Sequence, residues 1–418
     1  MFTCFKNSKK KFYKEIDLKS QKSFSKLIDK SLKIERRKNL MKQHILLLGT
    51  GESGKSTFLK QMKIICGQKF TVYEIESFKD IIYDNIFKGV LFLIDARAQL
   101  NIDWNDNETA NSAEEIERYF DETKLIHRQR RQSKQLLWKE NEFLEIVPRL
   151  KAIWNDKSIQ QTFLRRSEII TETFSENTRY YLNKIDEIGT LNYFPTDEDI
   201  VWTRKPTESI IETEIEVSND IILVFIDVGG QTKERRKWCQ LFHDMKSVLF
   251  LIACSHFDEE YMDRFTLQKR NKLKEAMFVF EELINQNAFL RVSVLLFFNK
   301  TDILSEKIKS HQSNIGKDFQ DFPDESDPYN LVDVQMFIVD SFVKLIDNPY
   351  GNDKRASYIR SNSVSGNKRV VSPVPMQIPK RTIYRHFTTA VDKSNIEKVF
   401  IAMKDTILQN NIRKIMMN

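Results

Sequence analysis

Cysteine is scarce in this 418-residue chain: Cys4, Cys66, Cys239 and Cys254 lie far apart and form no C-x-x-C pair. That spacing argues against a zinc site and a disulfide framework, and it fits a reducing, intracellular setting. No apolar run approaches the roughly 20 residues that a bilayer-spanning helix needs, and the first residues lack the apolar stretch of a secretory signal. The expectation is a chain that neither spans a membrane nor is secreted. What is present suffices for two or three domains, since 41% of the residues are hydrophobic.

The formal charge of +7 resembles a nucleic-acid signature until it is located. Residues 1–42 carry 14 Lys/Arg against 4 Asp/Glu, a local +10 that leaves the remainder of the chain at −3. A polybasic arm of this kind suits an anionic membrane surface at least as well as nucleic acid. From Lys19 through Lys22, Lys26, Lys30, Lys33 and Arg37, cations recur every three or four residues, while Phe24, Leu27, Ser31 and Ile34 mark another side, the pattern of an amphipathic helix. A solvated charged face without a partner has the same pattern. A second basic stretch, 350–385, holds eight Lys/Arg against one Asp among Ser, Asn and Pro and reads as a solvated loop, disordered over 350–380.

Strand character begins at His44–Leu48, which leads through a glycine-rich turn into a helical Ser56–Ile65. From about Tyr73 to Ile188 only helical periodicity is found, with one long helix carrying Phe78, Ile81, Ile82, Val90 and Ile94 and further segments near 112–126, 134–153 and 158–188. Strands resume at 210–217 and 221–226 and recur at 248–253 and 292–298, with helical stretches between them. That alternation predicts a mainly parallel sheet covered on both faces, with an all-helical block inserted early into an α/β domain.

Three motifs sit at the ends of those strands. Gly49-Thr50-Gly51-Glu52-Ser53-Gly54-Lys55-Ser56 satisfies G-x-x-x-x-G-K-[ST], with a strand before it and, from Ser56 and Thr57, a helix after it. The glycines let backbone N–H groups close on phosphate oxygens, Lys55 brings positive charge to the outer phosphates, and Ser56 can ligate magnesium. Phosphates are common to ATP and GTP, so the choice of base falls to Asn299-Lys300-Thr301-Asp302. There Asp302 can accept from both N1–H and the 2-amino group of guanine, donors that adenine does not offer. A buried acceptor left unpaired costs about 1–3 kcal/mol, more when charged, so such a site rejects the wrong base. Asp227-Val228-Gly229-Gly230-Gln231 follows another strand: Asp227 can reach magnesium through water, Gly230 lets an N–H approach the γ-phosphate, and Gln231 can orient the attacking water.

At this point the chain resembles the alpha subunits of heterotrimeric G proteins. The likeness rests on GTGESGKSTFLKQMKII at 49–65, LKAIWNDKSIQQTF at 150–163, NYFPTDEDIVWTR at 192–204, DVGGQTKERRKW at 227–238, NKTD at 299–302 and HFTTAVDKSNIEKVF at 386–400. Small Ras-like GTPases share the loop and the N-K-x-D but lack the helical insertion. The resemblance implies an α/β fold: a P-loop Ras-like GTPase domain at 43–68 and 197–418, its mostly parallel sheet covered by helices on both faces, an inserted all-helical domain at 69–196, and a basic N-terminal helix at 1–42. It also implies that Arg204 is the built-in arginine finger, that Glu52 pairs with it, that Thr207 joins Ser56 on magnesium, and that the Ala390 N–H meets the guanine O6.

Several residues depart from the family pattern. After Thr207 the family usually has a second threonine and then glycine, where this chain has Glu208 and Ser209, with Pro206 ahead of Thr207, so the segment around Thr207, switch I, is expected to close less easily. If Thr207 faces magnesium, alternation along an extended segment turns Glu208 to water. Phe2 replaces the glycine that myristoylation requires, which leaves Cys4, beside Lys9, Lys10 and Lys11, as a palmitoylation candidate or an ordinary thiol.

By resemblance, the function is a slow GTPase switch with Mg²⁺ and bound GTP or GDP. Its partners would be a beta-gamma dimer, a seven-transmembrane receptor, an effector and the inner surface of the plasma membrane, with no nucleic acid. A GTP-dependent scaffold with impaired hydrolysis and an ATP-driven P-loop machine are the competing readings.

Overall fold

The computed structural model describes residues 25–36, 38–39, 41–130, 138–169, 176–218, 221–245, 247–263, 266–289, 292–311, 313–347 and 383–416. Cys4 and the 350–380 stretch lie outside them. Of the N-terminal segment, 25–36 is helical and leaves Leu27, Ile28, Leu32 and Ile34 exposed. Among the described residues no helix is long and apolar enough to cross a membrane.

A six-stranded sheet has the order β2 (Ile211–Ser218), β3 (Ile221–Asp227), β1 (Lys42–Leu48), β4 (Ser247–Ala253), β7 (Ser293–Asn299), β8 (Ile383–Phe387). All neighbours run parallel except β2, which pairs antiparallel with β3. The central strands are continuous apolar runs because both faces are covered. On one face Leu46, Leu48, Val224, Phe250 and Leu296 pack with α9 (Lys272–Ile284) and α12 (Leu331–Asp347). On the other, Ile45, Leu47, Phe225, Leu249 and Phe297 meet α1 (Lys55–Ile65) and α13 (Lys393–Met416). The period-two alternation of the strands thus divides one sheet between two cores.

Between α1 and β2 the described residues form seven α-helices and no strand: α2 (Val72–Gln99), α3 (Asn107–Arg130), α4 (Glu140–Asn155), α5 (Lys157–Leu164), α6 (Asn177–Asn183), α7 (Ile185–Ile188) and α8 (Asp197–Trp202). α2 opens with a capping box between Thr71 and Glu74. Its inner face, with Ile82, Ile86 and Phe87, closes on Phe143, Leu150 and Tyr181 in a separate core. In the helical segment expected near 158–188 the described residues form three α-helices: α5 stops at Leu164, a short 3₁₀ turn follows at Arg166–Glu168, and α6 begins at Asn177 and α7 at Ile185.

α8 packs both on helices of the insertion and on α1 of the sheet unit, and a buried carboxylate fixes it to the former. The fully buried Asp199 carboxylate accepts from Lys184 Nζ at 2.7 Å and from the Tyr180 and Tyr193 hydroxyls at 2.8 Å. Beyond β4, α10 (Thr301–Lys309) and α11 (Ile315–Asp318) precede α12, and a small hairpin of β5 (Glu260–Met262) and β6 (Lys269–Asn271) leads into α9.

Candidate functional site

β3 and β4 lie on opposite sides of β1, so the segments leaving the C-terminal ends of these strands diverge and open a crevice there. Its first wall is the loop from Gly49 to α1. Gly54 adopts φ 97°, and a Cβ there would stand 2.2 Å from Asn299 Nδ2, so both conformation and space demand glycine. α1 starts without a side-chain cap, which leaves its first N–H groups turned toward the cleft lined by Gly51 through Thr57. Lys55 is buried, with Nζ donating to Gly49 O and Thr50 O, each at 2.9 Å. Burial pulls its pKa down to about 8, Asp227 offsetting part of the effect.

Three oxygens converge beside Lys55. Ser56 Oγ donates to Asp227 Oδ2 at 2.8 Å and lies 3.0 Å from Thr207 Oγ1, and Thr207 Oγ1 reaches the same Asp227 oxygen at 3.4 Å. Asp227 is 1% exposed, and its second oxygen, Oδ1, is buried without a protein partner. Burial accordingly raises its pKa, with Lys55 opposing. Two hydroxyls and a carboxylate with an unsatisfied buried oxygen form an all-oxygen donor set, the chemistry that a hard cation such as Mg²⁺ takes. Among the described residues no group of three or more His, Cys, Asp or Glu side chains is placed to hold a metal. This mixed set is thus where the residues fit one.

Despite Pro206 and Ser209, Thr207 reaches that cluster, and Glu208 is exposed with its side chain in water. Arg204 Nη2 bonds Glu52 Oε1, uniting the two residues that the resemblance pairs. Glu52 also faces Lys272 Nζ at 3.5 Å. Gly230 packs so closely that a Cβ would meet Gly49 O at 2.4 Å and Thr50 O at 2.6 Å. Gln231 is exposed at the mouth, its Cγ beside Gly51. Trp238 Nε1 donates to Gly229 O at 3.0 Å, and Lys237 Nζ donates to Glu208 O at 2.7 Å, joining the DVGGQ segment to the Thr207 segment.

The far end of the cleft is organised by Asn299, which is 1% exposed. Its Nδ2 donates to Ser53 O at 2.9 Å, and its Oδ1 accepts from Thr388 Oγ1 at 3.1 Å and Ala390 N at 3.0 Å. The Ala390 amide, expected to meet a guanine carbonyl, is therefore spent on Asn299 here and would exchange partners to do so. Lys300 takes a left-handed φ of 59° ahead of α10 and sets Nζ 3.1 Å from His256 Nε2. Asp302 lines the cleft but is exposed, because it occupies the first turn of α10 ahead of the buried Ile303 and Leu304.

The opposite wall comes from the helical unit, which motif reading misses. Arg166, Glu176, Asn177, Val201 and Trp202 line it, with Arg166 Nη2 bonded to Glu176 Oε2 at 2.9 Å. No spacing signals them, since they meet only after the insertion folds back on the sheet. The family model for the G-protein alpha subunit matches residues 22–407. The chain is 37% identical over 400 residues to guanine nucleotide-binding protein subunit alpha-13 of Rattus norvegicus, covering 95% of this chain and 93% of that one. It is 38% identical over 390 residues to subunit alpha-12 of the same species, covering 93% and 89%. To the alpha-12 subunit of Caenorhabditis elegans it is 34% identical over 397 residues, 94% of this chain and 97% of that one.

Proposed function

The chain belongs to the G-protein alpha subunits, and on that premise we propose how its own residues run the guanine nucleotide-binding switch and GTPase that the family membership makes it. The observation that carries the assignment of roles is one cleft with an amide-and-lysine cradle at one end and the Asn299-to-Asp302 turn at the other.

Lys55 and the amides at the start of α1 hold the phosphates, and Lys55 leaves the carbonyls of Gly49 and Thr50 to do so. Ser56 and Thr207 are assigned as ligands of magnesium, with Asp227 orienting them. Magnesium, when bound, supplies positive charge to the phosphate oxygens. Asp302 reads the guanine edge, and a base laid over it covers the carboxylate. Arg204 moves from Glu52 to the γ-phosphate and stabilises the charge spread over its oxygens, while Gln231 orients the attacking water. Loss of the γ-phosphate removes what holds the Thr207 and Gly230 segments together.

We also propose the family's partners: a beta-gamma dimer on the N-terminal helix and the Gly230-to-Trp238 segment, a seven-helix receptor near α13, and an effector. The exposed Leu27, Ile28, Leu32 and Ile34 support the first. The +10 charge of residues 1–42 and a palmitoylated Cys4 would together hold the protein at the cytoplasmic face of the plasma membrane.

Nucleotide binding and single-turnover hydrolysis on purified protein test the roles. Asp302→Asn is expected to lose GTP without gaining ATP, and Arg204→Ala and Gln231→Leu to slow hydrolysis about a hundredfold with GTP still bound. Equal rates in wild type and both variants would sink the catalytic assignments.

A further inference from the structure

Arg204 must bring its guanidinium to two places, Glu52 and the phosphate end of the cleft, from a segment, 203–210, that is neither helix nor strand. A long side chain on an unanchored backbone has no fixed root. The structure supplies one from the inserted helices. Asn85, on α2, sets its carboxamide edge-on to the Arg204 residue: Arg204 N donates to Asn85 Oδ1 at 2.8 Å, and Asn85 Nδ2 donates to Arg204 O at 2.9 Å. One side chain thus satisfies both backbone groups of that residue, as a neighbouring strand would.

The orientation of this amide is determined by its surroundings. Turned over, it would oppose N–H to N–H and oxygen to oxygen, and Asn177 Nδ2 donates to the same Oδ1 at 2.7 Å. Asn177 Nδ2 also donates to Trp202 O at 3.1 Å, so the chain is held on both sides of Thr203. α2 itself has no use for an asparagine in its interior, where that residue is a poor helix former. Aspartate could not donate to the Arg204 carbonyl, and alanine could make neither bond.

We propose that Asn85 is a positioning residue for GTP hydrolysis, fixing the backbone from which the Arg204 guanidinium reaches the phosphates. The proposal rests on the reading of Arg204 as the residue that stabilises the transferring phosphoryl group. It makes the helical insertion a contributor to the chemical step, through a residue that does not touch nucleotide.

The test is a four-way comparison of wild type, Asn85→Ala, Arg204→Ala and the double variant, by single-turnover GTP hydrolysis with magnesium, together with GTP affinity, GDP release and melting temperature. Asn85→Ala is expected to slow hydrolysis about ten- to hundredfold, because small displacements of a catalytic group carry such factors, while nucleotide affinity changes less than about threefold. In the Arg204→Ala background the same substitution is expected to change the rate less than about twofold, since its effect runs through the arginine. A wild-type rate for Asn85→Ala, or an equal slowing in both backgrounds, would overturn the proposal. A wild-type rate for Arg204→Ala would overturn the role of Arg204, and the proposal with it. If Asn85→Ala binds no nucleotide, the near-isosteric Asn85→Asp, which keeps the acceptor and loses the donor, takes its place under the same criteria.

Discussion

Gly230 shows how one missing methyl group can matter to a switch. A Cβ there would enter a space bounded by two backbone oxygens and the Lys55 ammonium, and the oxygens cannot yield as a flexible side-chain tip would. Gly230→Ala is expected to keep GDP and to lose hydrolysis by about a hundredfold, because the segment carrying Gln231 can no longer close on the phosphate loop. Stopped-assay phosphate release on GTP-loaded protein checks it; undiminished release would mean that the close packing is dispensable. At this scale the placement of residues around one cleft was legible where it depends on neighbours a few positions away, as in the phosphate loop, NKTD and DVGGQ. Asn85 was not legible, since its partner Arg204 lies 119 positions along the chain and no motif spans that gap.

Elements were legible where their pattern was strong. The four buried strands of the sheet centre stand close to where apolar runs predict them, because parallel strands covered on both faces are continuously hydrophobic. β8 escaped notice: Ile383–Phe387 is a five-residue strand at the sheet's edge, carrying Arg385 and His386 between apolar positions. The break between α5 and α6 escaped too, since Arg165, Arg166 and Glu168 fit a helix surface as readily as a turn.

α8 buries Ile200 and Val201 and adds to them a polar device around Asp199, and that device titrates. Burial alone would raise the Asp199 carboxyl, yet Lys184, the Thr196 amide and the Tyr180 and Tyr193 hydroxyls outweigh it and hold the pKa at about 2. A carboxylate depressed on folding contributes stability above its unfolded value near 4 and loses it as pH falls toward 2, here roughly 2 kcal/mol. Asp199→Asn is therefore expected to cost about 3 kcal/mol at pH 7, leaving Lys184 without its buried partner. The gap from wild type should shrink between pH 4 and pH 2. Thermal unfolding followed by circular dichroism across that range checks the sign, and a gap that widens on acidification would contradict it.

Across the whole molecule, the cleft lies between the helical unit and the sheet, and a bidentate pair ties the two together outside it. Arg179 Nη1 and Nη2 on α6 meet Glu306 Oε1 and Oε2 on α10 at 2.5 and 2.7 Å. Both side chains are about 40% exposed, so the pair is worth no more than about 1 kcal/mol. Arg179→Ala is expected to speed GDP release about two- to fivefold at low salt, with the difference fading near 1 M salt. Release unchanged at low salt would show that the seam is held elsewhere. That the insertion folds back to form a wall of the site was hidden from the sequence, because helical periodicity reveals a buried face without revealing what lies opposite.

Lys237 reaches across 29 positions to the carbonyl of Glu208, and so links the two stretches that the proposed switch would move. A protein that grips only one of them still feels the condition of the other. A compact contact can therefore discriminate between the loaded and spent forms as faithfully as a broad one.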